Sequence, residues 1–322
     1  MYGCVLLLCF AISTITVDLV AQSSRFTTAS SYVERGQKFY ERGDLGNALE
    51  DFDLAIATDP TMAAAYYNRG LVLLQKTELE SALTDFNRAI QLNPRLSEAY
   101  INRGIIRQTQ RHFDEAIGDY TKVIELTPRT IFGRINRGLT YLENGSWQAA
   151  LADFSRALEI NGKSVEALVG RGVAYQMAGD LASAIKDHTK AIALNPNNPT
   201  AWDARGNDYQ RLGELEKALS DCSQAITLKP DHPMFWFNRG TTYRLKGEYF
   251  KAEADLTQAL TLDSNQTDAL AARGLVRLNL GKAAEAQADF DRCLQINPKL
   301  KAQLEMLKTE TLNQTTTQRR EK

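Results

Sequence analysis

The chain has 322 residues, with 38 Lys or Arg against 39 Asp or Glu, so its formal net charge is −1. This balance excludes the strong positive field with which nucleic-acid-binding proteins attract their ligand. Hydrophobic residues make up 43% of the chain and charged residues 24%, which is typical of a globular protein and excludes extensive disorder. No long linker interrupts the middle of the sequence, so we expect one continuous body.

The first 21 residues differ from the rest of the chain. Residues 5–17 carry no charge and are too few to cross a bilayer as a helix. This is typical of the apolar region of a signal peptide. We therefore predict a signal peptide over residues 1–21, a flexible lead over residues 22–28, and export to a secreted or periplasmic location. The alternative is an uncleaved segment that holds the protein near a membrane.

A period of 34 residues begins at residue 29 and continues without insertion or deletion to residue 300. The tripeptide Asn-Arg-Gly marks it at 68–70, 102–104, 136–138 and 238–240. The eight repeats are 29–62, 63–96, 97–130, 131–164, 165–198, 199–232, 233–266 and 267–300.

The residues at fixed positions within a repeat, numbered 1 to 34, predict a helix, a turn and a second helix. Glycine occupies position 8 and alanine position 20 in all eight repeats, and position 4 is usually aromatic or Leu. These positions form apolar stripes at helical spacing. Position 15, where a helix often ends in a left-handed residue, is glycine in six repeats. All eight prolines lie at junctions between repeats.

This pattern resembles the tetratricopeptide repeat (TPR) family, which has an aromatic residue at position 4, glycine at 8, alanine at 20 and 27, an aromatic at 24 and proline at 32. The resemblance implies an all-α fold, an α-solenoid of eight helix-turn-helix hairpins that form a right-handed superhelix with a concave groove. Departures such as Arg134 at position 4 and His188 at position 24 predict looser local packing. Residues 301–312 are predicted to form a C-terminal capping helix, and residues 313–322 a disordered tail.

Two charged columns run through the array, with Arg at position 7 and Asp at position 23 of every repeat. Position 7 lies on the helix face of positions 4, 8 and 11, where a charge requires a partner. We predict structural pairing of the two columns and leave open whether pairs form within or between repeats; a strip that binds anionic ligands is the alternative. Central members of these columns are Arg69, Asp85, Arg103, Asp119, Arg137, Asp153, Arg171 and Asp187.

A second face of the first helix of each repeat comprises positions 2, 5, 6, 9, 12 and 13, and we call it the A-helix face. We interpret it as a groove for an apolar or neutral peptide, with asparagines at position 6 bonding the peptide backbone, as in family members that hold extended peptides. Packing by superhelix curvature or by a second copy of the chain is the alternative. The predicted groove residues are Tyr67, Asn68, Ile101, Asn102, Ile105, Phe132, Ile135, Asn136, Phe237 and Asn238.

The sequence contains no phosphate-binding loop, nucleophile elbow or His and Cys spacing of a metal site. We therefore predict no enzymatic activity, catalytic residue, cofactor or metal, and no nucleic-acid partner. Cys222 and Cys293 are not expected to form a disulfide. The favoured function is a scaffold or adaptor that binds a protein or peptide partner. A self-associating structural solenoid, or a regulatory subunit of an enzyme complex, is the alternative.

Overall fold

A computed structural model describes residues 28–320 of the chain, so the predicted signal peptide and residues 22–27 of the predicted lead lie outside the described residues. The described part is entirely helical, with seventeen α-helices, one short 3₁₀ helix and no strand. Each of the eight 34-residue windows contains one helix pair. The first helices are α1 (Ala29–Glu41), α3 (Ala63–Gln75), α5 (Ser97–Thr109), α7 (Phe132–Glu143), α9 (Val165–Ala178), α11 (Pro199–Arg211), α13 (Pro233–Leu245) and α15 (Thr267–Asn279). The second helices are α2 (Leu45–Thr58), α4 (Leu79–Leu92), α6 (Phe113–Leu126), α8 (Trp147–Ile160), α10 (Leu181–Leu194), α12 (Leu215–Leu228), α14 (Tyr249–Leu262) and α16 (Ala283–Ile296).

The packing of the Cα atoms divides the chain into two compact units, so that the division falls inside α8. The one ending at Arg156 is called the first unit, and the one beginning at Ala157 is called the second unit. The absence of a linker had favoured one continuous body. The division is understandable because a repeat contacts only its neighbours, so a solenoid has no single core shared by all repeats.

Small residues at positions 8 and 20 let the two helices of a hairpin approach closely. Every alanine at position 20 is fully buried, from Ala48 to Ala286. A Cβ atom at Gly104 would lie 2.8 Å from the ring of Tyr120, the position 24 residue of the same repeat. Glycine at position 8 is therefore required by the large side chain that crosses it.

The helix ends follow from local hydrogen bonding. Gly43 and five other glycines at position 15 adopt φ between 76° and 82°, the left-handed conformation that ends the first helix. After the second helix, the Asn93 side chain accepts a hydrogen bond from the backbone N–H of Arg95, and five other repeats have the same turn at this position. Pro199 and Pro233 open their helices at the first turn, where no backbone N–H is needed.

The last helix, α17 (Lys301–Arg320), follows a 3₁₀ turn over Pro298–Leu300. Leu304 is 2% exposed and packs in one cluster with Leu270 and Phe290 of the last hairpin, as a capping helix does. The helix continues past residue 312, where the sequence had predicted a disordered tail. The continuation is consistent with the absence of Gly and Pro from residues 301–320.

Candidate functional site

The A-helix face forms a continuous row of side chains in the first unit, because neighbouring first helices contact each other through it. The Gln37 amide donates to the Asn68 side-chain oxygen at 3.4 Å, between α1 and α3. The Asn102 amide donates to the Tyr67 hydroxyl at 3.3 Å, between α3 and α5. The Gln108 amide donates to Glu143 at 2.9 Å, between α5 and α7. The predicted groove positions of this unit thus lie beside one another.

The apolar members of this row differ in exposure. Tyr67 and Ile101 are half-buried and pack against the core around Phe86. Ile105 is also half-buried, whereas Ile135 is only 9% exposed and presents little surface to a ligand. Phe132 is 53% exposed, so it is the large apolar side chain of this row that is most available for contact.

The asparagines at position 6 are mostly occupied by neighbours within the protein. Asn68 is buried and donates to the backbone carbonyl of Ala64 at 2.8 Å. The two N–H groups of Asn102 reach Tyr67 and the carbonyl of Glu98. Asn136 is half-buried and its amide makes no hydrogen bond with a described residue. Of these three, Asn136 is therefore the amide with free donors for a ligand.

Tyr67 lies at the centre of the row. Burial and the nearby charge of Glu98 raise the pKa of Tyr67 to about 12, although the hydrogen bond from Asn102 opposes this shift. The hydroxyl is therefore neutral at physiological pH and remains a hydrogen-bonding group.

In the second unit, the corresponding face is more polar. Phe237 is half-buried against the cores of the last two repeats, and Asn238 is 7% exposed. The Asn238 amide donates to both carboxylate oxygens of Asp203 at 2.9 Å. Burial raises the pKa of Asp203 to about 7, because the hydrogen bonds from Asn238 and the charge of His188 offset desolvation only in part. Asn238 therefore holds a neighbouring side chain rather than facing solvent.

The Arg and Asp columns pair inside each repeat. In all eight repeats the Arg Nε and Nη2 atoms donate to the two carboxylate oxygens of the Asp sixteen residues later, at 2.5–3.0 Å. The Asp side chains are buried, whereas the Arg side chains are mostly half-buried. This parallel two-bond arrangement is the strongest form of an Arg–carboxylate pair.

The same arginines also join consecutive repeats. The remaining nitrogen of Arg103 donates to Asn87 of the preceding repeat at 2.6 Å, and that of Arg137 donates to Thr121 at 2.9 Å. Arg69, Arg205, Arg239 and Arg273 make the equivalent bond to a polar residue at position 25. With its donors used in this way, the column stabilises the array and has little capacity left for an anionic ligand.

Position 4 contributes a further link between repeats, which accounts for Arg134, the departure from the aromatic pattern noted in the sequence. The indole N–H groups of Trp202 and Trp236 donate at 2.8 Å to the carbonyls of Pro196 and Pro230 in the preceding loops. Arg134, which departs from the aromatic pattern, donates to the carbonyl of Pro128 at 3.0 Å. Arg134 therefore makes the same contact with a different side chain.

One buried polar cluster was missed by the sequence interpretation. His188 and Asp208 are both fully buried, with Nδ1 of His188 2.6 Å from the Asp208 carboxylate. The Gln176 amide donates to the other oxygen of Asp208 at 2.8 Å. His188 replaces the usual aromatic residue at position 24, and Asp208 stands at position 10, where most repeats are apolar or have Thr. The sequence signal that could have predicted this cluster is the presence of two unusual polar residues in adjacent repeats.

Among residues 28–320, no group of three His, Cys, Asp or Glu side chains is placed to hold a metal ion. Within the same residues, no helix is both long enough and apolar enough to span a bilayer. Cys222 and Cys293 are buried free thiols.

Stacked helical hairpins of equal length define an α-solenoid. Sequence models of the tetratricopeptide repeat match four of the predicted repeats, at residues 63–96, 97–130, 199–232 and 267–300. Further models of this repeat match residues 36–77, 135–199 and 222–254. The chain belongs to the tetratricopeptide repeat family. Proteins with this repeat generally act as non-enzymatic scaffolds for protein–protein interaction.

Solved structures share the fold. A tetratricopeptide repeat protein from Parabacteroides merdae has a TM-score of 0.67 and 22% identity, over 77% of this chain and 98% of that chain. The Cut9–Hcn1 hetero-tetramer of the APC/C has a TM-score of 0.66 and 18% identity, over 88% of this chain and 55% of that chain. TTC0263 from Thermus thermophilus has a TM-score of 0.51 and 27% identity, over 57% of this chain and 99% of that chain. No curated protein sequence matches the chain significantly.

Proposed function

We propose that this protein is a non-enzymatic scaffold that binds an extended segment of a protein partner along the A-helix face of its first unit. The observation that carries the proposal is the exposure of Phe132, which is 53%, at the end of a row that includes the half-buried side chains of Tyr67, Ile101 and Ile105. Apolar side chains that remain accessible on a helix surface often mark an interaction site.

The spacing of the row suits an extended peptide. Packed helices lie about 10 Å apart, and an extended chain advances about 3.3 Å per residue, so every third residue of a peptide can reach the next helix. The free amide of Asn136 is available to bond a peptide carbonyl. Asn68 and Asn102 are less suitable for this role because they already bond their own helices.

The test is a selection of random peptides of about twelve residues, displayed on phage, against the full chain. We expect enriched peptides whose Kd rises about tenfold in Phe132→Ser, since an exposed aromatic contact is lost. Asn136→Ala is expected to weaken binding less. Phe250→Ser is the matched control, because Phe250 is 76% exposed on α14 and outside the proposed site.

Two results would overturn the proposal. One is a selection without enriched peptides, or with peptides that bind Phe132→Ser as tightly as the wild type. The other is a dimer, measured by light scattering, that dissociates in Phe132→Ser, because a second copy of the chain would then occupy this face.

We further propose that the protein is exported, on the strength of the uncharged stretch over residues 5–17. Intact mass measurement of the chain purified from its source should show loss of residues 1–21. A full-length mass in the membrane fraction would instead indicate an uncleaved anchor, and a full-length mass in the soluble cytoplasmic fraction would contradict export.

A further inference from the structure

Four carboxylates lie on the A-helix face of the first unit without a basic residue on the same face. They are Glu34 and Glu41 of α1, Glu98 of α5 and Glu143 of α7. Positions 2, 5, 6, 9, 12 and 13 of the first four repeats contain no Lys or Arg. This face therefore carries carboxylates, and no basic side chain of its own, beside the row of half-exposed apolar side chains.

These carboxylates have no cationic partner among the described residues. Glu34, Glu41 and Glu98 are exposed, and the polar contacts of the set are neutral: Ser97 donates to Glu98, and Gln108 donates to Glu143. The Asp residues at position 23 differ, because each is buried and bonded by an arginine. The negative charge of the A-helix face is therefore not balanced within the face.

The carboxylates are distributed along the apolar row. Glu98 lies close enough to Tyr67 for its charge to help raise the pKa of that residue, and Glu143 touches Gln108 on the adjacent helix. Within residues 28–320, no three acidic side chains converge on one point as a metal site would require. A small cation is therefore a poor match, whereas an extended chain with several positive charges can reach the carboxylates in turn.

The second unit shows that this charge pattern is not a general property of the repeat. Its A-helix face carries Arg211 and Arg244 together with Glu166, Asp203 and Asp268. Arg211 donates to the backbone carbonyl of Gln176 at 2.8 Å. An A-helix face with carboxylates and no basic residue is a feature of the first unit.

From this charge complementarity we infer that the segment bound by the first unit is basic and apolar, with Lys or Arg interspersed among aliphatic or aromatic residues. The inference rests on the proposed function and names the chemistry of the partner. The apolar side chains contact Ile101, Ile105 and Phe132, while the positive charges face Glu34, Glu41 and Glu98.

The test uses three fluorescent peptides with the full chain. Each contains four copies of a three-residue block, Lys-Leu-Ser, Gln-Leu-Ser or Glu-Leu-Ser, so that the block length matches the spacing of the helices. We expect the Lys peptide to bind most tightly and the Glu peptide most weakly in fluorescence anisotropy. Raising NaCl from about 0.05 M to about 0.5 M should weaken binding of the Lys peptide and leave the Gln peptide nearly unchanged.

A charge variant with Glu34→Gln, Glu41→Gln and Glu98→Gln should raise the Kd of the Lys peptide about tenfold, since three exposed charge pairs are lost. The control variant has Glu50→Gln, Glu80→Gln and Asp114→Asn, three exposed acids on the second helices α2, α4 and α6. It removes the same charge, so unchanged affinity in the control separates a local effect from the net charge of the protein.

The outcomes distinguish the two proposals. Equal binding of all three peptides, or equal loss in both variants, overturns the basic chemistry and leaves the peptide-binding function standing. Failure of every peptide to bind overturns the inference, while the phage selection decides the proposed function separately.

Discussion

At the scale of single residues, the buried Asp of each repeat depends on its arginine. Arg137 donates to both oxygens of Asp153 at 2.7 Å, and this contact is the main reason that the pKa of Arg137 is raised above its ordinary value. Asp153 is 7% exposed, so the carboxylate would lack adequate solvation without Arg137.

We expect Arg137→Leu to lower the free energy of unfolding by about 2 kcal/mol and Arg137→Ala to lower it further, because alanine also leaves a void. The double variant Arg137→Leu with Asp153→Leu should recover much of the loss. Urea unfolding of the wild type, Arg137→Leu, Asp153→Leu and the double variant measures the coupling. Lys122 and Glu125, an exposed pair, form the control and should show little coupling. Additive effects at Arg137 and Asp153 would show that the pair is not structurally important.

Asp203 is predicted to make stability depend on pH. Its pKa of about 7 in the folded protein exceeds the value of 3.8 for an ordinary Asp, so the folded state binds the proton more tightly than the unfolded state. Stability is therefore greatest below the ordinary pKa and falls as the pH rises toward and through about 7. The charged form of Asp203 is the destabilising one.

Asp203→Asn should accordingly raise the Tm at about pH 8 relative to the wild type, with a smaller gain at about pH 5. Asp180 is a suitable control, because hydrogen bonds from Ser183 lower its pKa and it stays charged across this range. Asp180→Asn should change the Tm equally at both pH values. A pH-independent effect of Asp203→Asn would contradict the prediction.

At the scale of the helices, two hairpins have a strained turn. Thr77 and Arg111 adopt φ of 63° at position 15, where the other six repeats have glycine. A residue with a Cβ atom is disfavoured in this left-handed conformation, and a β-branched residue such as Thr77 especially so. Arg111 also lies over the Phe113 ring at 5.1 Å, a contact that offsets part of its cost.

Thr77→Gly is therefore expected to stabilise the protein by about 1 kcal/mol, and Gly43→Thr to destabilise it by a similar amount. A Cβ atom at Gly43 would meet no other atom within 4 Å, so backbone strain is the only cost introduced there. Thermal unfolding of both variants measures the effect. A loss of stability in Thr77→Gly would show that the turn is not strained.

At the scale of the whole array, the terminal repeat needs a cover. Leu304 and Leu307 of α17 pack on the cluster that contains Leu270 and Phe290. Because repeats contact only their neighbours, loss of this cover should loosen the last hairpin first.

Truncation after Leu300 should increase hydrogen exchange in α15 and α16, whereas truncation after Thr311 should not, because it retains Leu304 and Leu307. Exchange in α1 and α2 serves as the internal reference and should remain unchanged in both truncations. Equal exchange of the last hairpin in the two truncated proteins would show that residues 301–311 do not act as a cap.

Much of the fold was predictable from the sequence because each repeat carries the same short-range signals. Glycine at position 8, alanine at position 20 and proline at the junctions determine two helices and a turn of fixed length, and the helix pairs lie in the predicted windows. The candidate site was less predictable. Ile135 and Asn238 have the sequence positions of groove residues, yet both are buried.

The sequence alone determined the family, the helical period and the need for a partner at each position 7 arginine, because these depend on residues that recur within one repeat. Tertiary structure decided which Asp each arginine bonds, that Asn102 bonds Tyr67, and that His188 meets Asp208. Such contacts join helices that are distant along the chain, and small differences in packing decide whether a polar side chain reaches a neighbour or remains open to solvent.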